Sequence, residues 1–418
     1  MKKHFHLVYF LLFAFSSLCF GQGLGSIVGT VTDPTGSVVP GAQVRATETS
    51  TGLSRATVTD AQGYFVLSAL RPSDYTIAIE ARGFRTANLK ALTLLADQTL
   101  TANARLELGS ATEIIDVTGN ATQVDTTTST IKQVVETQRI TDLPLNGRNA
   151  AELSLQVAGV VNSANGGADQ GVTKTFPGGV TYSVNGSRQN QISYQLDGGN
   201  FVDEYTNINQ PFPFPDALQE FSVQTSNYGA EYGQNAGGVV NVVTKSGTDQ
   251  FHGDVFEFLR NAVFNARKWD SDFNAKDHGR DQLKRNQFGG TLGGPVIHGR
   301  TFFFVGYQGT RVRNVGNPTT ASVFTPAQRA SATDPAIIKL LTFIPAGDPT
   351  NPDAAGQPQV TYARPSRENF DEILGRIDHS LATNDRLTFR YDRNRYHKDA
   401  VFDPANILNY ADATNAIV

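Results

Sequence analysis

Sulfur and charge are both scarce in this sequence: one Cys, one Met and one Trp occur among 418 residues, and charged side chains make up only 18%. The single Cys19 lies in the apolar N-terminal stretch, so a chain processed beyond it has no thiol for a disulfide, a metal or a nucleophile. A basic excess is missing too. Lys and Arg number 35 against 39 Asp and Glu, a net charge of -4, which excludes a field able to hold a nucleic-acid backbone. After the first 20 or so residues no run is long and apolar enough to cross a bilayer as a helix, so any insertion must be as a closed sheet. P-loop, HExxH, CxxC and G-x-S-x-G motifs are absent, and the His residues are scattered, with His4 and His6 in the leader and no metal-ligand spacing among the rest. What is plentiful is Gly (39), Phe (26), Pro (18) and Tyr (13), a mixture of turn and strand formers. The length allows two or three domains, and the composition makes them mainly β.

Lys2 and Lys3 precede the apolar run Leu7 to Phe15, and small residues follow up to Gly21. This order is that of a secretory signal peptide over residues 1–21. The run is too short for a membrane anchor, and Leu18 before Cys19 argues against a lipoprotein site. Removing the leader takes away two Lys and no acid, leaving 33 basic against 39 acidic residues, or -6.

From Gly25 to Gly109 short apolar runs alternate with turn clusters: Ile27 to Val31, Asp33 to Gly36, Pro40-Gly41, Ala42 to Ala46, Thr59 to Gly63, Tyr64 to Leu67, Tyr75 to Glu80. Turn signals at that spacing predict a small β-sandwich. The residues resemble the carboxypeptidase-regulatory-like domain, in the order G-x-V-x-D-x-x-G, PGAxV, TDxxGYF and a late Tyr-containing strand ending at Phe84. The resemblance implies a transthyretin-like, carbohydrate-binding-like fold with no catalytic residues; Asp74 stands where that family has Gly. Tyr64, Phe65, Tyr75 and Phe84 are expected in the core, with stacking on a sugar as the alternative.

A helix-like stretch from Ile131 to Ala158 contains LPLNGR (Leu143 to Arg148) and is followed by SVNGSRQNQISYQLDG (Ser183 to Gly198). A second block runs from Leu218 to Thr248 and includes EYGQNAGGVVNVVTK. Over residues 131–248 the chain resembles the α+β plug domain of TonB-dependent outer-membrane receptors, especially the Oar-like branch. The motif residues are Asp197, Gly198, Tyr232, Gly233, Gly237, Gly238, Asn241 and Lys245. The glycines suit tight turns and close backbone approach, Val239, Val240, Val242 and Val243 a strand packed on both faces, and Lys245 its exit into water.

Residues 110–130 are Thr-rich and read as a linker with one extended stretch, Glu113, Ile114, Ile115, Asp116, Val117, Thr118. By its position it resembles a TonB box, the peptide such receptors offer to an inner-membrane partner as an added strand; an ordinary strand with Ile115 and Val117 on one face is the alternative.

Two further patterns have chemical meaning. Ser129 to Lys132 fits S-x-x-K, Ser183 to Asn185 fits S-x-N and Lys245 to Gly247 fits K-[ST]-G, the order in penicillin-recognising serine enzymes. The sequence from Val161 to Gln210 lacks the helices such an enzyme needs around its nucleophile. Asp270, Asp272, Asn274 and Asp281 occupy positions 1, 3, 5 and 12 of a calcium-loop pattern, but Ala275 replaces its Gly and a solvated loop is the expected reading.

Extended segments follow at Gly253 to Leu259, Asn286 to Val296, Thr301 to Arg311, Phe370 to Leu381 and Asp385 to Tyr396. In the last, Leu387, Phe389 and Tyr391 share one face, with Thr388, Arg390 and Asp392 on the other. The connections alternate long and short, in phase with a first strand leaving the periplasm, as in an outer-membrane barrel. Five strands cannot close, so the expectation is an incomplete barrel from residue 249 to 418, lacking a terminal aromatic strand.

The resulting expectation is a signal peptide, a sandwich over 25–109, a linker, a plug over 131–248 and the opening of an antiparallel barrel. The resemblance implies an outer-membrane receptor that passes a siderophore, saccharide or peptide to the periplasm by energised plug movement. Its partners would be a TonB-type inner-membrane protein, the ligand and the lipid bilayer, with no cofactor, nucleic acid or catalysis. The alternative is an exported adhesin or carbohydrate-binding structural protein.

Overall fold

The computed structural model describes residues 23–109, 114–118, 129–143, 145–162, 182–188, 190–204, 207–229, 232, 235–266, 283–314, 318–382, 385–411 and 413–417. The leader, Glu113, Gly233 and all four calcium-pattern residues lie outside the described residues.

The first unit is a two-sheet sandwich. Strands β1 (Gly25–Thr32), β4 (Tyr64–Leu70), β7 (Thr99–Thr101) and β8 (Ala104–Arg105) form one sheet. The other has the order β3 (Ser54–Val58), β2 (Gln43–Glu48), β5 (Ser73–Glu80), β6 (Thr86–Leu94), β9 (Ile114–Thr118). Alternation along each strand selects the inner face: Val44 and Ala46 from β2, Phe65 and Leu67 from β4, Tyr75, Ile77 and Ile79 from β5 all enter one core. Ala69, with φ +56°, bulges β4 so that Leu70 turns back into that core. Of the four expected core aromatics, Phe65 and Tyr75 are buried and Phe84 packs against the cluster, whereas Tyr64 faces solvent because it opens β4 one residue out of phase with Phe65.

The second unit is built on a sheet of order β10 (Ile131–Glu136), β17 (Leu218–Ser226), β18 (Gly238–Thr244), β13 (Ile192–Leu196), β14 (Gly199–Asn200). Two-stranded ribbons flank it: β11 (Val160–Asn162) with β12 (Tyr182–Val184), and β15 (Val202–Asp203) with β16 (Ile208–Asn209). The expected helix-like stretch is only partly helical. Ile131–Glu136 is a strand paired with Glu220 to Ser226, and a short helix, Thr137–Asp142, follows it. Every residue of β18 is buried, as a strand covered on both faces requires. Lys245, expected in water, is half-buried and its backbone N–H donates to Ala217 O.

The third unit is an antiparallel sheet of long strands, β19 (His252–Asn261), β20 (Lys284–Ile297), β21 (Thr301–Asn314), β25 (Ser366–Ser380) and β26 (Arg386–Lys398), which extend the five expected segments. A sixth short strand, β29 (Thr414–Ile417), pairs with β26; four residues of Thr, Asn, Ala and Ile were too little pattern to read. The long connection after β21 holds a small sheet, β22 (Pro318–Ser322), β24 (Pro358–Ala363) and β23 (Asp348–Pro352), and two short helices; β27 (Val401–Phe402) and β28 (Tyr410–Ala411) form a ribbon before β29.

The polarity of this sheet is inverted relative to a water-soluble one. Gln308 of β21, Glu372, Arg376 and Asp378 of β25, and Asn394 of β26 are buried on the inner face. Val305, Ile373, Ile377, Leu387, Phe389 and Tyr391 are exposed on the outer face, as expected for strands with a polar interior and lipid outside. The sheet remains open, with β19 and β29 at its edges.

Candidate functional site: the second unit fastened to the long-stranded sheet

The LDG sequence of the second unit makes a two-residue hairpin turn. Asp197 (φ +49°) and Gly198 (φ +79°) both lie in the left-handed region, the signature of a type I′ turn joining β13 to β14. Asp197 Oδ1 accepts from Thr244 N at 2.8 Å and Arg376 Nη1 at 3.2 Å, while Oδ2 accepts from Thr244 Oγ1 at 2.8 Å and Arg390 Nη1 at 2.7 Å. Arg390 also donates to Leu196 O, and Arg376 to Thr244 O. Burial alone would raise the Asp197 carboxyl, but Arg376 and then Arg390 outweigh it and hold the group below the usual carboxylate range.

The network continues past the second unit. Arg376 Nε donates to Asp378 Oδ2 at 2.9 Å, and Asp378 Oδ1 accepts from Thr388 Oγ1 at 2.7 Å and lies 3.3 Å from Arg71 of the sandwich. Glu48, also of the sandwich, faces Arg386 at 3.5 Å. All three units therefore meet near the β25–β26 turn.

A second fastening lies toward the opposite end of the strands. Arg148 of LPLNGR pairs with Asp216, donates to Gln308 Oε1 and sits 4.0 and 4.7 Å from the Phe258 and Phe256 ring centroids. Beyond it a cavity of about 260 Å³ is lined by Arg148, Glu152, Arg285, Glu368, Glu372 and Tyr396.

The remaining motif residues divide by role. A Cβ on Gly237 would come within 2.5 Å of Ser187 Oγ and 2.8 Å of Gln191 O, so this glycine permits close approach of two chain segments. Asn241 and Tyr232 bond Asp97 of the sandwich, both at 2.7 Å. Sequence reasoning missed Arg376, Arg390, Asp216 and Asp97. Arg390 was on the face read as inward, which was the available signal; nothing in the sequence marks Asp97.

The serine-enzyme motifs do not converge. Lys132 is in register with Gln224, and Gln224 with Val239 at the start of β18, whereas Lys245 follows the far end of that strand. Ser183 belongs to the separate β11–β12 ribbon, and Lys132 Nζ donates to Asp97 O. Among the described residues no group of three or more His, Cys, Asp or Glu could hold a metal ion.

The stretch Ile114–Thr118 is a strand, but not a free one. It pairs parallel with β6, Thr86 opposite Ile114 through Lys90 opposite Thr118, as the last strand of the sandwich sheet.

Comparison with known proteins agrees with this architecture. Residues 26–107 match the carboxypeptidase regulatory-like domain, and residues 243–334 and 329–417 match an outer membrane beta barrel domain. The chain is 29% identical over 314 residues to the TonB-dependent transporter Oar of Myxococcus xanthus, covering 72% of this chain and 28% of that protein. It thus spans little more than a quarter of that relative's length. Among solved structures, the outer membrane transporter YddB from Escherichia coli aligns at a TM-score of 0.41 and 12% identity over 64% of this chain and 33% of the other. Catechol 1,2-dioxygenase from Pseudomonas arvilla aligns at 0.19 and 14% over 23% and 56%, and at such scores neither likeness bears on function. The protein is an outer-membrane protein, and its relative is a TonB-dependent transporter.

Proposed function

We propose that this protein is a TonB-dependent outer-membrane transporter, with a periplasmic sandwich over 25–109, a plug over 131–248 and barrel strands from 249 onward. A ligand, whether siderophore, saccharide or peptide, settles on the outer loops and plug apex. A TonB-type inner-membrane protein then takes hold of residues 113–118 as an added strand and draws the plug aside. The observation that carries the reading is the Asp197 fastening: a separate α+β unit is held by two arginines on the polar inner face of a sheet whose outer face is apolar. A lumen-filling gate is what that arrangement suits. The segment suits strand addition because its backbone is already extended and forms the end of its sheet.

The test is deletion of Ile114 to Val117 in the full-length protein, with binding and import followed on whole cells against panels of siderophores, saccharides and peptides. Surface binding should persist while energy-dependent import is lost. Import that survives the deletion refutes this assignment of the segment, and binding without import in the intact protein would favour an adhesin.

A further inference from the structure

The transporter reading leaves the sandwich without a task, and its contacts supply one. The turn Leu95–Gln98 joins β6 to β7 and is directed at the plug sheet. Ala96 N–H donates to Glu220 Oε2 at 2.7 Å. The Asp97 carboxylate accepts from Tyr232 OH and Asn241 Nδ2, each at 2.7 Å, and from Gln224 Nε2 at 3.3 Å, while Asp97 O accepts from Lys132 Nζ at 2.8 Å. Nearby, Gln219 Nε2 donates to Pro72 O at 2.8 Å. Both Ala96 and Asn241 are completely buried.

Resting on that transporter reading, we propose that the sandwich is a periplasmic latch: its Leu95–Gln98 turn bolts the plug in the closed position. Two arrangements support a latch over a passive tether. Strand β18 is gripped twice, by the sandwich at Asn241 and by Arg376 of the barrel sheet at Thr244. The sandwich is itself tied to the barrel wall through Arg71 to Asp378 and Glu48 to Arg386, so it cannot ride freely with a departing plug. Strand β9 places the segment to be pulled on that same sandwich, so traction reaches the bolt before it reaches β18.

The turn can be disarmed without unfolding its own domain. Asp97 has φ +54° at the third position of a turn closed by Gln98 N–H to Leu95 O, where glycine is favoured, and Ala96 is at the second position, where proline is favoured. Asp97→Gly removes the carboxylate, and Ala96→Pro removes the donor to Glu220. Full-length protein carrying nitroxide labels on Arg45→Cys and Gln138→Cys would be compared with each variant by pulsed electron resonance, together with hydrogen exchange of the β18 amides.

The wild type should give one narrow distance distribution. Both variants should broaden it and accelerate β18 exchange by about tenfold or more, since buried hydrogen bonds across the interface are lost. Distributions as narrow as the wild type would overturn the latch. So would broadening with β18 exchange unchanged, because the sandwich would then dock without restraining the plug. Neither readout uses import, so failure of the transporter reading would appear separately, as absent uptake with these results intact.

Discussion

The Glu220→Gln substitution offers the sharpest physical test of the sandwich–plug interface. Glu220 is 4% exposed and accepts the Ala96 N–H. Burial raises its pKa from 4.5 to about 7; the Ala96 hydrogen bond opposes this, Asp97 and Glu136 add to it, and Lys132 relieves a little. The docked carboxyl therefore holds its proton more tightly than the same group in water. Docking is strongest below pH 4.5, weakens as the pH rises toward about 7, and is level above that. The interval between 4.5 and about 7 corresponds to roughly 3 kcal/mol, a factor of about 10² to 10³. Gln keeps an oxygen acceptor for Ala96 and has no charge to bury. Exchange at the Ala96 amide, measured by mass spectrometry on the full-length protein and corrected for intrinsic rates, should show wild-type protection falling across this range while the variant stays flat. At pH 8 the variant should be the better protected. Wild type and variant tracking each other from pH 4 to 8 would refute the argument, since Glu220 would then not be titrating against docking.

Two other outcomes follow from the geometry. Arg376→Ala leaves Asp197 and Asp378 each with one arginine fewer in a buried site, and should cost about 3–5 kcal/mol of plug retention, read as protease release of the plug from the purified full-length protein. Val305→Arg places a charge on the lipid-facing side of β21 and should reduce outer-membrane assembly by roughly 2–4 kcal/mol; unaltered yield and heat-modifiable migration would contradict the assigned outer face.

Much of the architecture was legible because period-two alternation survives wherever one face is committed. Leu387, Phe389 and Tyr391 could be assigned to one side of β26 from sequence alone, and they do face outward. The same reasoning misjudged Ile131 to Glu136, where apolar residues at 131, 134 and 135 imitate a helical period. Pairing with β17 decides that segment, and pairing partners are not local information. The site was half visible. The DG turn pointed to Asp197, but the cations that hold it come from two strands nearly 200 residues later, and only the register of β25 against β26, with Gly375 opposite Tyr391, brings Arg376 and Arg390 to one spot. Asp97 was invisible because an Asp in a turn is usually explained by the turn itself.

On the proposed transporter reading, the charge inventory of the shared network constrains how the plug could leave. Arg71, Arg376 and Arg390 contribute three positive charges against Asp197 and Asp378, all within one connected set of hydrogen bonds and ion pairs. Asp197 belongs to the plug, so displacement of the plug carries off one of the two anions. Three guanidiniums then face Asp378 alone, and the local excess rises from one positive charge to three minus one, or two. In a closed, low-dielectric contact that state is expensive, because the loss of one partner leaves the other charge buried and unpaired. Water entering behind the plug removes most of the cost. The barrier therefore concentrates at the first small separation, before solvent can reach Arg376 and Arg390, and fades once the gap admits water. A fastening of that kind is firm at rest and short in range. Under the proposed mechanism a pull of limited travel would be sufficient to break it, and the same charges would draw Asp197 back when the pull ends.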